Sequence, residues 1–187
     1  MHTFTFVDIV GFTAYTARWG DAEAARLAVG AGSRIRALLP AHGAEEVKSL
    51  GDGMMIRARD PESALRLAAR LHEETDRGRL PRLRIGVEAG PAVAHEGDWY
   101  GATVNRAARL CSAARPGEVL LGEGARAGVN GARGVAFRRR LARGRGLWLR
   151  AAAYAAVPEP PEPAPMRGLL CRLRVLACPR HTLERAA

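Results

Sequence analysis

Cysteine is scarce and poorly placed for bridging. Cys111, Cys171 and Cys178 are odd in number and not closely paired, so neither a disulfide framework nor zinc-ligand spacing is present, and a reducing compartment is the simpler expectation. Aromatic residues make up only 5% of the chain, and no aromatic motif of a base-stacking sheet occurs. A nucleic-acid binder would therefore rest on charge alone, and no nucleic-acid partner is expected. No apolar run approaches the length of a membrane span, and Met1-His2-Thr3 lacks the basic-then-apolar order of a signal peptide. The expectation is a soluble, cytoplasmic protein with no transmembrane segment. Acidic residues are also short: 19 against 29 Lys and Arg, a net charge of +10, which suits an anionic partner such as a nucleotide.

With 187 residues the chain is long enough for one domain with a proper core. Thr3–Ile9 reads as a strand with β-formers on both faces, as burial on both sides would need. From Phe12 to Leu39 the pattern is helical, with Leu27, Ala31, Ile35 and Leu38 in one stripe and a break near Gly20-Asp21. Glu46–Leu50 and Met54–Ala58 read as strands joined by a hairpin through Asp52-Gly53. Asp60-Pro61 opens the next helix, with Ala64, Leu67, Ala68 and Leu71 as its buried stripe. Arg82–Ala89 alternates strictly and predicts a half-buried strand, with Arg82, Arg84 and Glu88 on the polar side.

The resulting order, strand, helices, strand, strand, helix, strand, is the ferredoxin-like βαββαβ pattern, so the fold class is α/β (α+β) with a mixed, largely antiparallel sheet and flanking helices. After a loop at Glu96–Tyr100, a helix is expected over Ala102–Ala114, with Val104, Ala107, Ala108 and Cys111 as its stripe. Strands follow at Glu118–Gly122, Val135–Leu141 and Leu147–Val157. Residues 1–157 form the expected domain. Residues 158–187 read as a proline-rich linker, Pro158–Pro165, and a basic tail.

Two acidic turns stand out. Asp8 ends the first strand, and Gly11 turns the chain into a helix whose first residues, Phe12 and Thr13, offer free backbone N–H groups suited to phosphate. Asp52 tips the hairpin. In a ferredoxin-like sheet the two carboxylates can converge on one edge, where hard oxygen donors suit Mg²⁺ or Mn²⁺ shared with substrate phosphates. The residues alone leave open the alternative of two unrelated turn aspartates. Asn105 and Arg109 lie four apart on one helix face, a place for an amide and a guanidinium to hold a sugar and a transferring phosphoryl group, or a solvated polar face. Lys48 and Asp98 read by themselves as a strand lysine and a turn aspartate.

In combination, Phe-Val-Asp-Ile-Val-Gly-Phe-Thr at 6–13, Val-Lys-Ser-Leu-Gly-Asp-Gly at 47–53 and Asp-Trp-Tyr-Gly-Ala-Thr-Val-Asn-Arg-Ala-Ala-Arg at 98–109 resemble the class III nucleotidyl cyclases over roughly Thr3–Val157. The resemblance implies that Asp8, Asp52 and the Ile9 carbonyl bind two divalent metal ions. It also implies that Lys48 and Asp98 read the base, that Asn105 orients the ribose and that Arg109 stabilises the pentavalent phosphorus. Lysine plus aspartate, where the guanylyl members look like Glu and Cys, favours ATP. Arg145, before Gly146, occupies the register of a triphosphate-binding lysine. The expected protein is an adenylyl cyclase acting as a homodimer with shared active sites; the alternative is a catalytically silent, cyclase-like nucleotide-binding or regulatory module.

Overall fold

The computed structural model describes residues 1–129, 135–141 and 152–158. The chain runs β1 (His2–Ile9), α1 (Phe12–Trp19), α2 (Asp21–Leu38), a 3-10 turn at Pro40–His42, β2 (Ala44–Ser49), β3 (Gly53–Ala58), α3 (Pro61–Asp76) and β4 (Leu83–Gly90). It continues through β5 (Val93–His95), β6 (Asp98–Tyr100), α4 (Ala102–Ala113), β7 (Val119–Leu121), α5 (Glu123–Ala127), β8 (Val135–Leu141) and β9 (Ala152–Pro158). Seven strands form one sheet in the order β2-β3-β1-β4-β7-β9-β8, and β5 pairs with β6 in a separate hairpin. Among the described strands of the large sheet only β4 and β7 pair in parallel, so the mixed, largely antiparallel α+β architecture expected from the pattern is the one found.

β1 lies between β3 and β4, and alternation divides its side chains between two layers. Val7 and Ile9 join the larger core with Ala31 and Ile35 of α2 and Leu67 and Leu71 of α3. Phe4, with Phe6 against it, packs on the opposite face with Met55, Val104 and Ala107, under α4 and Trp99 of β6. The helix break falls at Gly20, which takes a positive φ of 82°.

The reading of β4 as half-buried is corrected. Leu83, Ile85, Val87 and Ala89 are buried as expected, but Gly86, Glu88 and Gly90 are buried too, because α4 and α5 cover that face. α4 lies so close that a Cβ on Gly86 would sit 2.2 Å from the Cys111 nitrogen and 2.5 Å from the Ala107 carbonyl oxygen. On α4 itself Leu110 is fully buried where Ala108 was expected. The loop read at 96–100 is instead the tight β5–β6 hairpin, turning at Glu96 and Gly97 with positive φ. A short helix, α5, follows β7.

Two further expectations concern the last strands and the tail. β8 occupies Val135–Leu141 as expected and lies at the sheet edge; β9 occupies Ala152–Pro158, and residues 147–151 of the strand expected from Leu147 lie outside the described residues. Arg145 and the linker and tail from 159 onward lie outside the described residues.

α3 begins where the sequence marks it. The Asp60 carboxylate accepts a hydrogen bond from the Ser63 backbone N–H at 2.7 Å, and Pro61 occupies the first helical position. The Ser63 N–H, with the smaller influence of Arg59, holds the Asp60 carboxyl below the usual aspartate range despite partial burial. Asp60→Ala should therefore cost about 1 kcal/mol at neutral pH, the usual value of an N-cap. Because the folded-state value is depressed, the cap's contribution is complete above the unfolded aspartate pKa and is lost as pH falls through the folded one. Urea melts of both proteins at neutral pH and near pH 3 should show the difference shrinking in acid.

Candidate active site

The β1–β3 and β1–β4 registers place Asp8 opposite Gly53 on one side and Arg84 on the other. Asp52 occupies the turn just before Gly53, and its carbonyl accepts a hydrogen bond from the Ile9 N–H at 3.3 Å. The turn is not the two-residue Asp-Gly hairpin that the sequence suggested. It spans Leu50, Gly51 and Asp52, with the positive φ, 75°, at Gly51 and with Gly53 already in the strand. Gly53 is needed for close approach instead: a Cβ there would stand 2.8 Å from the Val7 carbonyl oxygen and 3.4 Å from Asp8 Oδ1.

Burial, and then the charge of Asp8, push the Asp52 carboxyl above the usual aspartate range, with Arg84 pulling partly the other way. Asp8 Oδ2 accepts a hydrogen bond from Arg84 Nε at 2.6 Å. Arg84, read from the sequence as part of a polar strand face, is therefore a site residue that alternation could not identify. A groove of about 220 Å³, bordered by Asp8, Arg84, Leu50, Ala108, Cys111 and Ser112, joins this carboxylate to α4. Asp52 borders a second cavity of about 210 Å³ toward Ala28, Gly32 and Ile35 of α2. The Cys111 thiol beside the groove is pushed up to about 12, chiefly by burial and then by Asp8, and is an inert thiol at neutral pH.

Lys48 and Asp98, 50 residues apart, meet in an ion pair, Nζ to Oδ2 at 2.5 Å. A register shift in β2 between Glu46 and Lys48 sets Lys48 opposite Met55, and thus on the face of the sheet that carries Phe4 and Phe6. Asp98 opens β6, where its Oδ1 also accepts the Trp99 N–H at 2.8 Å. The Lys48 hydrogen bond, followed by that N–H, holds the Asp98 carboxyl below its usual range. Trp99 fixes the hairpin by packing 5.6 Å from the Phe4 ring and 4.3 Å from that of His2.

Asn105 and Arg109 lie on the exposed face of α4. Their side chains make no hydrogen bond or ion pair among the described residues. Phe12 packs half-buried against the core, whereas Thr13 beside it is exposed at the start of α1. Ile9 is buried at the end of β1, next to Asp8. The structure thus brings together Asp8, Asp52 and Arg84 in one cluster and Lys48 with Asp98 in another, and leaves Asn105 and Arg109 facing outward.

The family described as the adenylate and guanylate cyclase catalytic domain matches residues 2–141. This chain belongs to that family, the class III nucleotidyl cyclases. It is 37% identical over 128 residues to a pH-sensitive adenylate cyclase of Mycobacterium tuberculosis, covering 66% of this chain and 31% of the relative. An adenylate cyclase of Streptomyces coelicolor is 36% identical over 121 residues, covering 62% of this chain and 31% of that protein. The chain thus spans about a third of the length of the curated relatives it matches. Adenylate cyclases of Trypanosoma brucei in their monomeric state superpose with a TM-score of 0.70 at 22% identity, over 83% of this chain and 87% of theirs. The adenylyl cyclase CyaB of P. aeruginosa gives 0.70 at 19% identity, over 86% and 95%. These likenesses carry the fold.

The residues present fit divalent cations. Two carboxylates close enough for the charge of one to raise the pKa of the other are offset only in part by Arg84, which hydrogen-bonds Asp8 and acts on Asp52 less than burial and the Asp8 charge do. Asp52→Asn should remove that repulsion and the burial cost together. The sign follows from the raised folded-state pKa: ionised Asp52 opposes folding above that value, and the opposition disappears as pH falls below the unfolded aspartate pKa. The metal-free Asn variant should therefore melt a few degrees above the parent at pH 7 and level with it near pH 3. Differential scanning calorimetry in EDTA checks this.

Proposed function

We propose that this chain is the catalytic domain of an adenylyl cyclase, converting ATP to 3′,5′-cyclic AMP and pyrophosphate at sites shared between two protomers. The observation that carries the reading is the Lys48–Asp98 ion pair. It holds a donor and an acceptor side by side, as needed to address the ring nitrogen and the exocyclic amine of adenine. A silent nucleotide-binding module is the alternative, and the presence of every metal-binding and base-reading residue together argues against it.

Asp8, Asp52 and the Ile9 carbonyl hold two divalent ions, Mg²⁺ or Mn²⁺. The ions, when bound, supply Lewis acidity that makes the 3′-hydroxyl a better nucleophile and offsets the triphosphate charge. Phe12 and Thr13 present backbone N–H groups at the start of α1, and Arg145 adds a cation for the triphosphate. Asn105 orients the ribose so that the 3′-oxygen lies in line with the α-phosphorus. Arg109 meets the charge that grows on the phosphorus oxygens in the transition state.

The unpaired, outward Asn105 and Arg109 support a homodimer in which α4 of one protomer completes the site begun by Asp8 and Asp52 of its partner. Residues 1–157 form the catalytic unit, and 158–187 a linker and basic tail dispensable for turnover. No helix among the described residues is long and apolar enough to cross a membrane, and we place the protein in the cytoplasm.

Incubation of the purified protein with ATP or GTP and Mg²⁺ or Mn²⁺, with the product identified by mass spectrometry, should give cyclic AMP; nucleotide binding without product would favour the silent module. Asp8→Ala and Asn105→Ala should each be nearly inactive alone. Co-expressed, they form heterodimers with one doubly defective and one intact site, so activity should return to no more than about half of the parent's. A verified heterodimer that stays inactive would rule out the composite site. Lys48→Glu with Asp98→Cys should cut cyclic AMP formation steeply; an unchanged ATP preference in initial-rate assays would refute the base-reading assignment.

A further inference from the structure

Glu88 in β4 is a carboxylate with 3% of its surface exposed, and every hydrogen bond it makes joins a different part of the structure. Its Oε1 accepts the Ala89 N–H at 2.9 Å and the Ala125 N–H of α5 at 3.2 Å. Its Oε2 accepts from Nε of Arg106 on α4 at 3.2 Å. Two glycines make room for it. A Cβ on Gly122 would fall 2.1 Å from Oε2, and one on Gly124 would fall 2.9 Å from Oε1 and 2.0 Å from the Ala89 carbonyl oxygen. A buried carboxylate is costly unless its acceptors are filled, and here backbone and guanidinium fill them.

Arg106 directly follows Asn105 and precedes Arg109 by three residues. Each step along a helix turns the side-chain direction by about 100°, so fixing Arg106 fixes where both neighbours aim. Other contacts of α4 hold its distance, its start and its last turn, where the Cys111 thiol donates to the Arg84 carbonyl at 3.3 Å. Gly86 lets it lie close on β4, and Thr103 Oγ1 donates to the Pro91 carbonyl at 2.7 Å. The Arg106–Glu88 bond lies to the side of the helix and resists its rolling over that small-residue contact.

We propose that Glu88 and Arg106 are positioning residues, a half-buried ion pair that sets the roll of α4 and so aims Asn105 and Arg109 at the reacting phosphate and ribose. The inference rests on the cyclase reading for what is aimed, but not for the locking of the helix. Neither residue touches substrate. Since Asn105 and Arg109 act in the transition state, a helix rolled by about 1 Å should lower kcat by about 10- to 100-fold while KM for ATP stays within about 3-fold.

The test uses the full chain with Arg106→Ala, Arg106→Lys and Glu88→Gln, measuring kcat and KM per folded dimer, the melting temperature, and deuterium uptake over 102–113. The Ala and Gln variants should show the kcat loss. The Lys variant, which keeps the charge without the Nε direction, should recover part of it at a near-parental melting temperature, and it decides the matter if the Ala variant fails to fold. Lower melting temperatures with unchanged kcat in all folded variants would overturn the proposal by reducing the pair to a structural tie. If the parent protein turns over no nucleotide, the cyclase reading fails. The lock itself is then decided by exchange: faster uptake over 102–113 with strands 2–9 and 83–90 unchanged supports it, and unchanged uptake over 102–113 overturns it.

Discussion

The site depends on one strand register. β1 is hydrogen-bonded on both sides, and the same pairing that buries Val7 and Ile9 against α2 and α3 sets Asp8 across from Gly53 and Arg84. A slip of one residue would turn Asp8 into the apolar layer and Val7 toward α4. The chemistry is thus secured by the core: the apolar side chains that specify the register also deliver the carboxylate to the proper face. The missing Cβ of Gly53 lets β3 approach closely enough for Asp52 to arrive beside it.

Electrostatics at that edge oppose the fold slightly. Asp52 is held partly out of water next to a second carboxylate, an arrangement that a protein selected only for stability would lack. On the opposite flank, Lys48 and Asp98 satisfy each other, and the Trp99 N–H completes the carboxylate. In the acidic pair one carboxylate raises the pKa of the other, while the other group is already neutral as a unit. That contrast is in keeping with the different roles proposed for the two clusters.

Much of this was legible in the sequence, and the exceptions share a cause. α2 and α3 announce themselves because their partners lie on one side and leave a periodic stripe, as with Ala31 and Ile35 or Ala64, Leu67 and Leu71, and β1 does so through β-formers on both of its buried faces. β4 misleads because its Arg-Gly-Glu-Gly face alternates as a solvent face would, yet α4 and α5, supplied by later sequence, cover most of it. Glu88 becomes intelligible only with those partners in place, and Arg84 only with Asp8 of β1 beside it. The register shift that aims Lys48, the Gly51-centred turn and the β5–β6 hairpin have no periodic signal, because each depends on a local backbone irregularity rather than on a repeating face. The three motifs singled out Asp8, Lys48, Asp52 and Asp98, but the Lys48–Asp98 contact depends on pairing across 50 positions.

The central place of β1 also bears on how the chain acquires its shape during synthesis. β1 is synthesised before both of its neighbours, residues 53–58 and 83–90, so one edge waits for β3 and both are paired only once β4 has been made. Contacts of such large sequence separation slow folding and leave strand edges open meanwhile. The β2–β3 hairpin and α3 can form from local contacts during that wait. Asp8 and Asp52 then become neighbours only when β1 docks onto β3, so the proposed cation site would form as a consequence of that docking rather than as its trigger.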